Sequence, residues 1–154
     1  MILMITLLEF LMGSCFHFIY DYFPLSLIFP INESIFEHLK LSLYPMMFID
    51  IYLYFQYYKQ DKHILFPYLV GLLTSMLSIA MIYYFYHIGL NITSLWMDIG
   101  LLFIALLIGN GFTHVAYNDG WYLHIYVTIM IFIIILALIS YWTYFPLDLP
   151  IFKS

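Results

Sequence analysis

Five apolar runs, each long enough to reach across a lipid bilayer, constrain this chain more than any other feature of its sequence. A membrane-spanning helix takes about 20 mostly apolar residues, and such runs cover roughly 1–20, 33–58, 64–87, 93–117 and 121–145. The connectors hold the breakers: Pro24 and Pro30, then Lys59, Gln60, Asp61 and Lys62, then Gly89, Leu90 and Asn91, then Asn118, Asp119 and Gly120. The runs are continuous rather than alternating, which argues against the strands of a membrane barrel. The expected fold is all-α: an integral membrane bundle of five transmembrane helices, forming a single domain over residues 1–154 without internal repeats.

Composition supports the bilayer. Hydrophobic residues make up 66% of the chain and charged residues 8%, against about 45–50% and about 25% in soluble domains. A folded monomer of this size has too little interior to hide so much apolar surface from water. A soluble enzyme and a disordered chain are therefore excluded. Four lysines and no arginine leave no basic patch, so nucleic acid is excluded as a partner. The 16 tyrosines and 15 phenylalanines suit interfacial belts and lipid-facing bulk. The single Cys15 has no internal disulfide partner. The first run lacks a basic leader and contains Glu9, so it reads as a retained span rather than a cleaved signal.

Lysines near span ends resist translocation. Lys59 and Lys62 flank one short loop, which is expected in the cytoplasm, with the N-terminus inside and the C-terminus outside. Lys40 and Lys153 argue the other way, but one sits within a helix and the other in the tail. Whatever the orientation, alternation of spans brings His17, Tyr20, Glu33, Glu37, His38, His87, Ser94 and Asp98 to one membrane face.

The head of the second run, Pro30-Ile31-Asn32-Glu33-Ser34-Ile35-Phe36-Glu37-His38-Leu39-Lys40, is the richest stretch in chemistry. Part of it is helix-start chemistry, with Asn32 as an N-cap and Ser34 with Glu37 as a capping box. Capping does not account for the rest. Glu33 and Glu37, four residues apart, are expected to share a helical face and repel, with Lys40 offsetting them. Ser34 and His38 form the neighbouring stripe. Paired carboxylates beside an imidazole suit acid–base work or a divalent metal.

This stretch resembles the signature Pro-Val-Asn-Glu-Ser-x-Trp-Glu-His-x-Lys of a domain-of-unknown-function family of small polytopic membrane proteins from low-GC Gram-positive bacteria. Ile31 stands for the Val and Phe36 for the Trp; every polar position matches. The family pattern also has a His near the end of span 1, like His17, a later Pro, like Pro45, and a span opening with an Asp, like Leu95-Trp96-Met97-Asp98. The resemblance covers spans 1, 2 and 4 and is weak over span 5. It implies a bacterial plasma-membrane location and supports a site without naming its chemistry.

An ionisable group within a span costs about 2.5–3.5 kcal/mol on insertion scales and marks function by default. Asp98, one turn inside the fourth run with Ser94 four residues earlier, is expected to join the site of span 2. Glu9, Gly13, His17 and Tyr20 make one stripe of span 1, expected to face the bundle. Asp50 lies deep on span 2, turned away from Glu37, and is expected to pair with Glu9 or a tyrosine. Asn110, His114 and Tyr117 form a stripe toward the other face, without a carboxylate.

The catalytic candidates are thus Glu33, Glu37, His38, Asp98 and His17, with Glu37, His38 and Asp98 as candidate ligands of a divalent metal. The leading expectation is an intramembrane hydrolase or transferase at the outer leaflet, acting on a membrane lipid or lipid-linked headgroup. A proton- or cation-coupled carrier or channel, using Glu9, Asp50 and His114 as a ladder and a homo-oligomer to enclose a pore, is the alternative. An accessory membrane subunit is the third reading.

Overall fold

The computed structural model describes residues 1–19, 24–59 and 61–153. Among these the regular elements are helical: α1 (Ile2–His17), α2 (Ile35–His38), α3 (Lys40–Leu53), α4 (Leu65–Tyr84), α5 (Leu95–Asn118) and α6 (Ile125–Tyr144). No strand occurs among the described residues. Leu39, between α2 and α3, keeps helical angles (φ −59°, ψ −28°). The two segments therefore run on as one helix, and the helices among the described residues number five. Helices α3 and α4 each end in a single π turn, Tyr54–Tyr58 and Phe85–Gly89.

Each helix lies on one apolar run, with ends displaced by a few residues. Leu65–Gly89, Trp96–Asn118 and Ile125–Tyr144 are long and apolar enough to cross a membrane. The first two runs give less than the sequence led one to expect. Helix α1 has 16 residues, about 24 Å at 1.5 Å per residue, short of a hydrocarbon core of about 30 Å. The helix on the second run starts at Ile35, two residues later than expected, and side chains of its first turns bond to the segment before it. Tyr20, expected on the bundle-facing stripe of α1, lies outside the described residues.

The core sits where α3, α4 and α5 meet. Leu43, Met46, Leu72, Ala105 and Leu106 are essentially fully buried there. Helices α4 and α5 form the most extensive pair, and glycine is the reason. A Cβ on Gly71 would lie 2.8 Å from the Gly109 carbonyl oxygen, and one on Gly109 would lie 2.7 Å from that of Gly71. The two backbones touch, the arrangement that small residues allow between apolar helices.

Helix α1 docks against α3 and α5 in a similar way. A Cβ on Gly13 would lie 2.5 Å from the Leu41 carbonyl oxygen. That carbonyl is the one to which Pro45, having no N–H, cannot donate. Gly13 thus presents a Cα–H to an oxygen deprived of its helical partner, a weak but real stabilising contact.

Helix α6 lies apart. Only 11% of its apolar window is buried within the chain. It is tied to the turn Leu25–Leu27 by Ser26 Oγ and Tyr144 Oη at 2.5 Å. The C-terminal turn Pro150–Phe152 folds back so that Phe152 lies over Phe36, ring centres 4.4 Å apart.

Candidate functional site

The segment leading into α2 is held down by side chains of the helix it precedes. Lys40 is fully buried. Its Nζ donates to the Ser26 carbonyl at 2.8 Å and the Phe29 carbonyl at 3.5 Å, and pairs with Glu37 Oε2 at 2.6 Å. Glu37, 2% exposed, also accepts from the Ile31 N–H at 3.0 Å. Tyr44 Oη donates to the Leu27 carbonyl at 2.6 Å. Buried backbone groups need partners, and here an ammonium, a carboxylate and a phenol supply them. The same bonds make the buried charges tolerable.

The Ser34 half of the expected capping box is present, and the rest of the cap differs. Ser34, not Asn32, is the N-cap: its Oγ accepts from the Glu37 N–H at 3.3 Å. In a capping box the glutamate would bond back to the cap N–H. Here Asn32 Oδ1 takes that N–H at 2.9 Å. Glu37 is thereby released to face Lys40 and Ile31. Glu33 precedes the helix instead of lying on it, so the expected clash of Glu33 with Glu37 does not arise. The two carboxylates turn to different partners.

Glu33 turns outward, where its Oε2 lies 3.4 Å from His38 Nε2. The other ring nitrogen of His38, Nδ1, is 2.8 Å from the Ser34 carbonyl oxygen. His17, at the last turn of α1, brings its ring to 5.5 Å from that of His38. One ligand atom from each of His17, Glu33 and His38 lies within 4.8 Å of the others. His17 and Glu33 are exposed and His38 half-buried. This trio is the only group of three such side chains close enough to share an ion among the described residues. Two imidazoles and one carboxylate, open to the surroundings at the junction of two helices, can bind an ion or move a proton.

A family model matches residues 1–154, and it is described as a family of unknown function, DUF6512. The chain belongs to that family. No curated protein and no solved structure matches it.

Of the five candidates read from the sequence, this DUF6512 member brings together His17, Glu33 and His38. Glu37 is adjacent in sequence but faces inward to Lys40. Asp98, expected beside them, has a different partner: it accepts a hydrogen bond from Tyr86 Oη at the end of α4. The sequence put Ser94 in that role, yet Ser94 meets Asp98 only through its backbone carbonyl, which accepts the Asp98 N–H. Tyr86 could have been found, since its span ends at the face where the Asp98 span begins. Among the described residues, the side chains close enough to share an ion are His17, Glu33 and His38, whereas the expected set of Glu37, His38 and Asp98 is not brought together.

A second polar group lies deep in the bundle. Asn110 Nδ2 donates to Glu9 Oε2 at 2.5 Å and to Thr6 Oγ1 at 3.1 Å. Thr6 and Glu9 are fully buried, and Glu9 Oε1 has no partner among the described residues. Asn110 thus belongs with α1 rather than with the expected stripe of His114 and Tyr117. His114 Nε2 meets Asn118 Nδ2 at 2.9 Å instead, and Tyr117 Oη donates to Asp61 at 2.9 Å.

Proposed function

We propose that this DUF6512 chain is a multi-pass membrane protein of the bacterial plasma membrane. In this reading His17, Glu33 and His38 form a hydrolase or transferase site at the outer-leaflet interface. The substrate is a membrane lipid or lipid-linked headgroup. The single observation that carries the reading is the convergence of three exposed or half-exposed ligating side chains on a segment clamped by the buried Glu37–Lys40 pair. An exposed carboxylate beside a half-buried imidazole contributes at most about 1 kcal/mol to stability, so stability alone gives little reason for the arrangement. The exposed apolar surface of α4, α5 and α6 supports the bilayer setting, since faces this large and apolar are not left to water. The trio lies at helix ends, where a lipid headgroup and water are both within reach.

Within this reading the three side chains activate water or a substrate hydroxyl, directly as acid and base or through an ion. Glu37 and Lys40 are positioning residues. The test is reconstitution of the purified chain into vesicles of native membrane lipid, followed by mass spectrometry of the total lipid. Wild type is expected to convert at least one phospholipid or lipid-linked species, and His38→Ala is expected to slow that conversion by about 10²-fold or more. Unchanged lipid profiles with wild type, or equal conversion by His38→Ala, would overturn the enzyme reading.

One observation favours a second reading, the proton- or cation-coupled carrier. Glu9 is buried in mid-bundle with one carboxyl oxygen unpartnered among the described residues, and unpaired acids at that depth mark ion paths. Under it, Asp50→Asn and Glu9→Gln abolish ion flux in vesicles while His38→Ala does not.

A further inference from the structure

We infer that His17, Glu33 and His38 form a binding site for one divalent transition-metal ion of the zinc class, with an open coordination position. The geometry of His38 begins the argument. Its Nδ1 faces the Ser34 carbonyl oxygen at 2.8 Å. A carbonyl only accepts, so Nδ1 carries the ring proton. Nε2 is then the nitrogen left to take a proton or a metal ion, and it faces the lone pairs of Glu33 Oε2 at 3.4 Å. Two acceptors turned toward each other repel unless a positive centre lies between them.

The spacing fits an ion. Zinc lies about 2.1 Å from nitrogen and oxygen ligands in tetrahedral sites, which sets neighbouring ligand atoms about 3.4 Å apart. His38 and Glu33 already stand at that separation. His17 offers one ring nitrogen within 4.8 Å of the other two ligand atoms, so its ring has to close on them to complete the third bond. The hydrogen bond from His38 Nδ1 to a backbone carbonyl is the outer-shell arrangement that orients metal-binding imidazoles. Two imidazoles and one carboxylate select zinc and its first-row neighbours, whereas magnesium and calcium prefer oxygen alone. Three protein ligands leave a fourth position for water or for a phosphoryl or ester oxygen.

The assignment rests on the interfacial-site reading above for its chemistry. It is tested without any lipid substrate, so failure to bind metal and failure to convert lipid are separate results. The untagged full chain in detergent micelles is stripped with chelator and titrated with Zn²⁺ by calorimetry. A parallel titration with Co²⁺ is followed by visible absorption. The expected result is one ion per chain at micromolar affinity or tighter, with a tetrahedral cobalt spectrum. Glu33→Gln, His17→Ala and His38→Ala should each weaken binding at least about tenfold, while His114→Ala binds as wild type. Glu33 is 73% exposed, so Glu33→Gln leaves the fold intact and decides the matter where a histidine variant fails to fold. A proton on His38 would also fill the gap between Nε2 and Glu33. Absence of stoichiometric ion uptake would favour that proton and overturn the metal site, as would wild-type affinity in Glu33→Gln or equal loss in His114→Ala.

Discussion

Replacing Lys40 with methionine tests whether the buried ion pair organises the site. Methionine keeps the length of the side chain and removes the ammonium. Lys40 has no exposed surface, and Glu37 retains 2%. After the change Glu37 keeps the Ile31 N–H but loses the partner at 2.6 Å. The Ser26 and Phe29 carbonyls lose their donor as well. Breaking a buried pair by removing one member costs about 3–5 kcal/mol. At 1.4 kcal/mol per decade this is about 10²- to 10⁴-fold in the folded-to-unfolded ratio. Replacing both partners, in Glu37→Leu/Lys40→Met, removes the stranded carboxylate. The residual cost is then about 1–3 kcal/mol for the carbonyl of the buried Ser26, while the Phe29 carbonyl and the Ile31 N–H, which Glu37→Leu also frees, lie on half-buried and exposed residues and can turn to water. The double variant should therefore be more stable than Lys40→Met alone. The assay is equilibrium unfolding in mixed micelles with increasing SDS, followed by circular dichroism. A loss below about 1 kcal/mol in Lys40→Met, or single costs that simply add in the double variant, would refute the reasoning. Lys40→Met should also lower zinc affinity, because Glu33 is carried by the segment that Lys40 holds.

Three further outcomes are expected. Gly71→Ala should destabilise the chain by about 1–3 kcal/mol, since its Cβ meets Gly109 and Thr113, whereas Gly111→Ala, inside α5 with open space around it, should leave stability unchanged or raise it by up to about 1 kcal/mol in the same unfolding assay. Asn110→Leu should cost about 2–3 kcal/mol by leaving Glu9 buried without its donor, and Glu9→Gln should cost clearly less because its amide oxygen still accepts from Asn110. In a Cys15→Ser background in intact cells, an impermeant maleimide should label Asn32→Cys and spare Lys59→Cys; the reverse pattern would invert the expected orientation.

The apolar runs alone determined the helical class and the approximate ends of the five helices, three of them long and apolar enough to cross a membrane. They could do so because length and hydropathy are local properties of the chain. Sequence spacing named His17, Glu33 and His38 among five candidates, with Glu37 and Asp98, since polar groups at the ends of apolar runs are scarce enough to be conspicuous. Spacing misjudged how those groups pair. Glu33 and Glu37 read as neighbours on one face, but the helix begins at Ile35, so one points out to His38 and the other in to Lys40. Asp98 shares a face with the site in a diagram of spans, yet its partner is set by how α4 and α5 pack, and that puts Tyr86 beside it. Glu9 and Asn110 are 101 residues apart, and the packing of α1 against both α3 and α5, with Gly13 beside the Leu41 carbonyl and the Leu102 side chain, brings them within a hydrogen bond. Which polar groups a chain carries is written in its sequence; which of them meet depends on helix starts and glycine contacts that long-range packing decides.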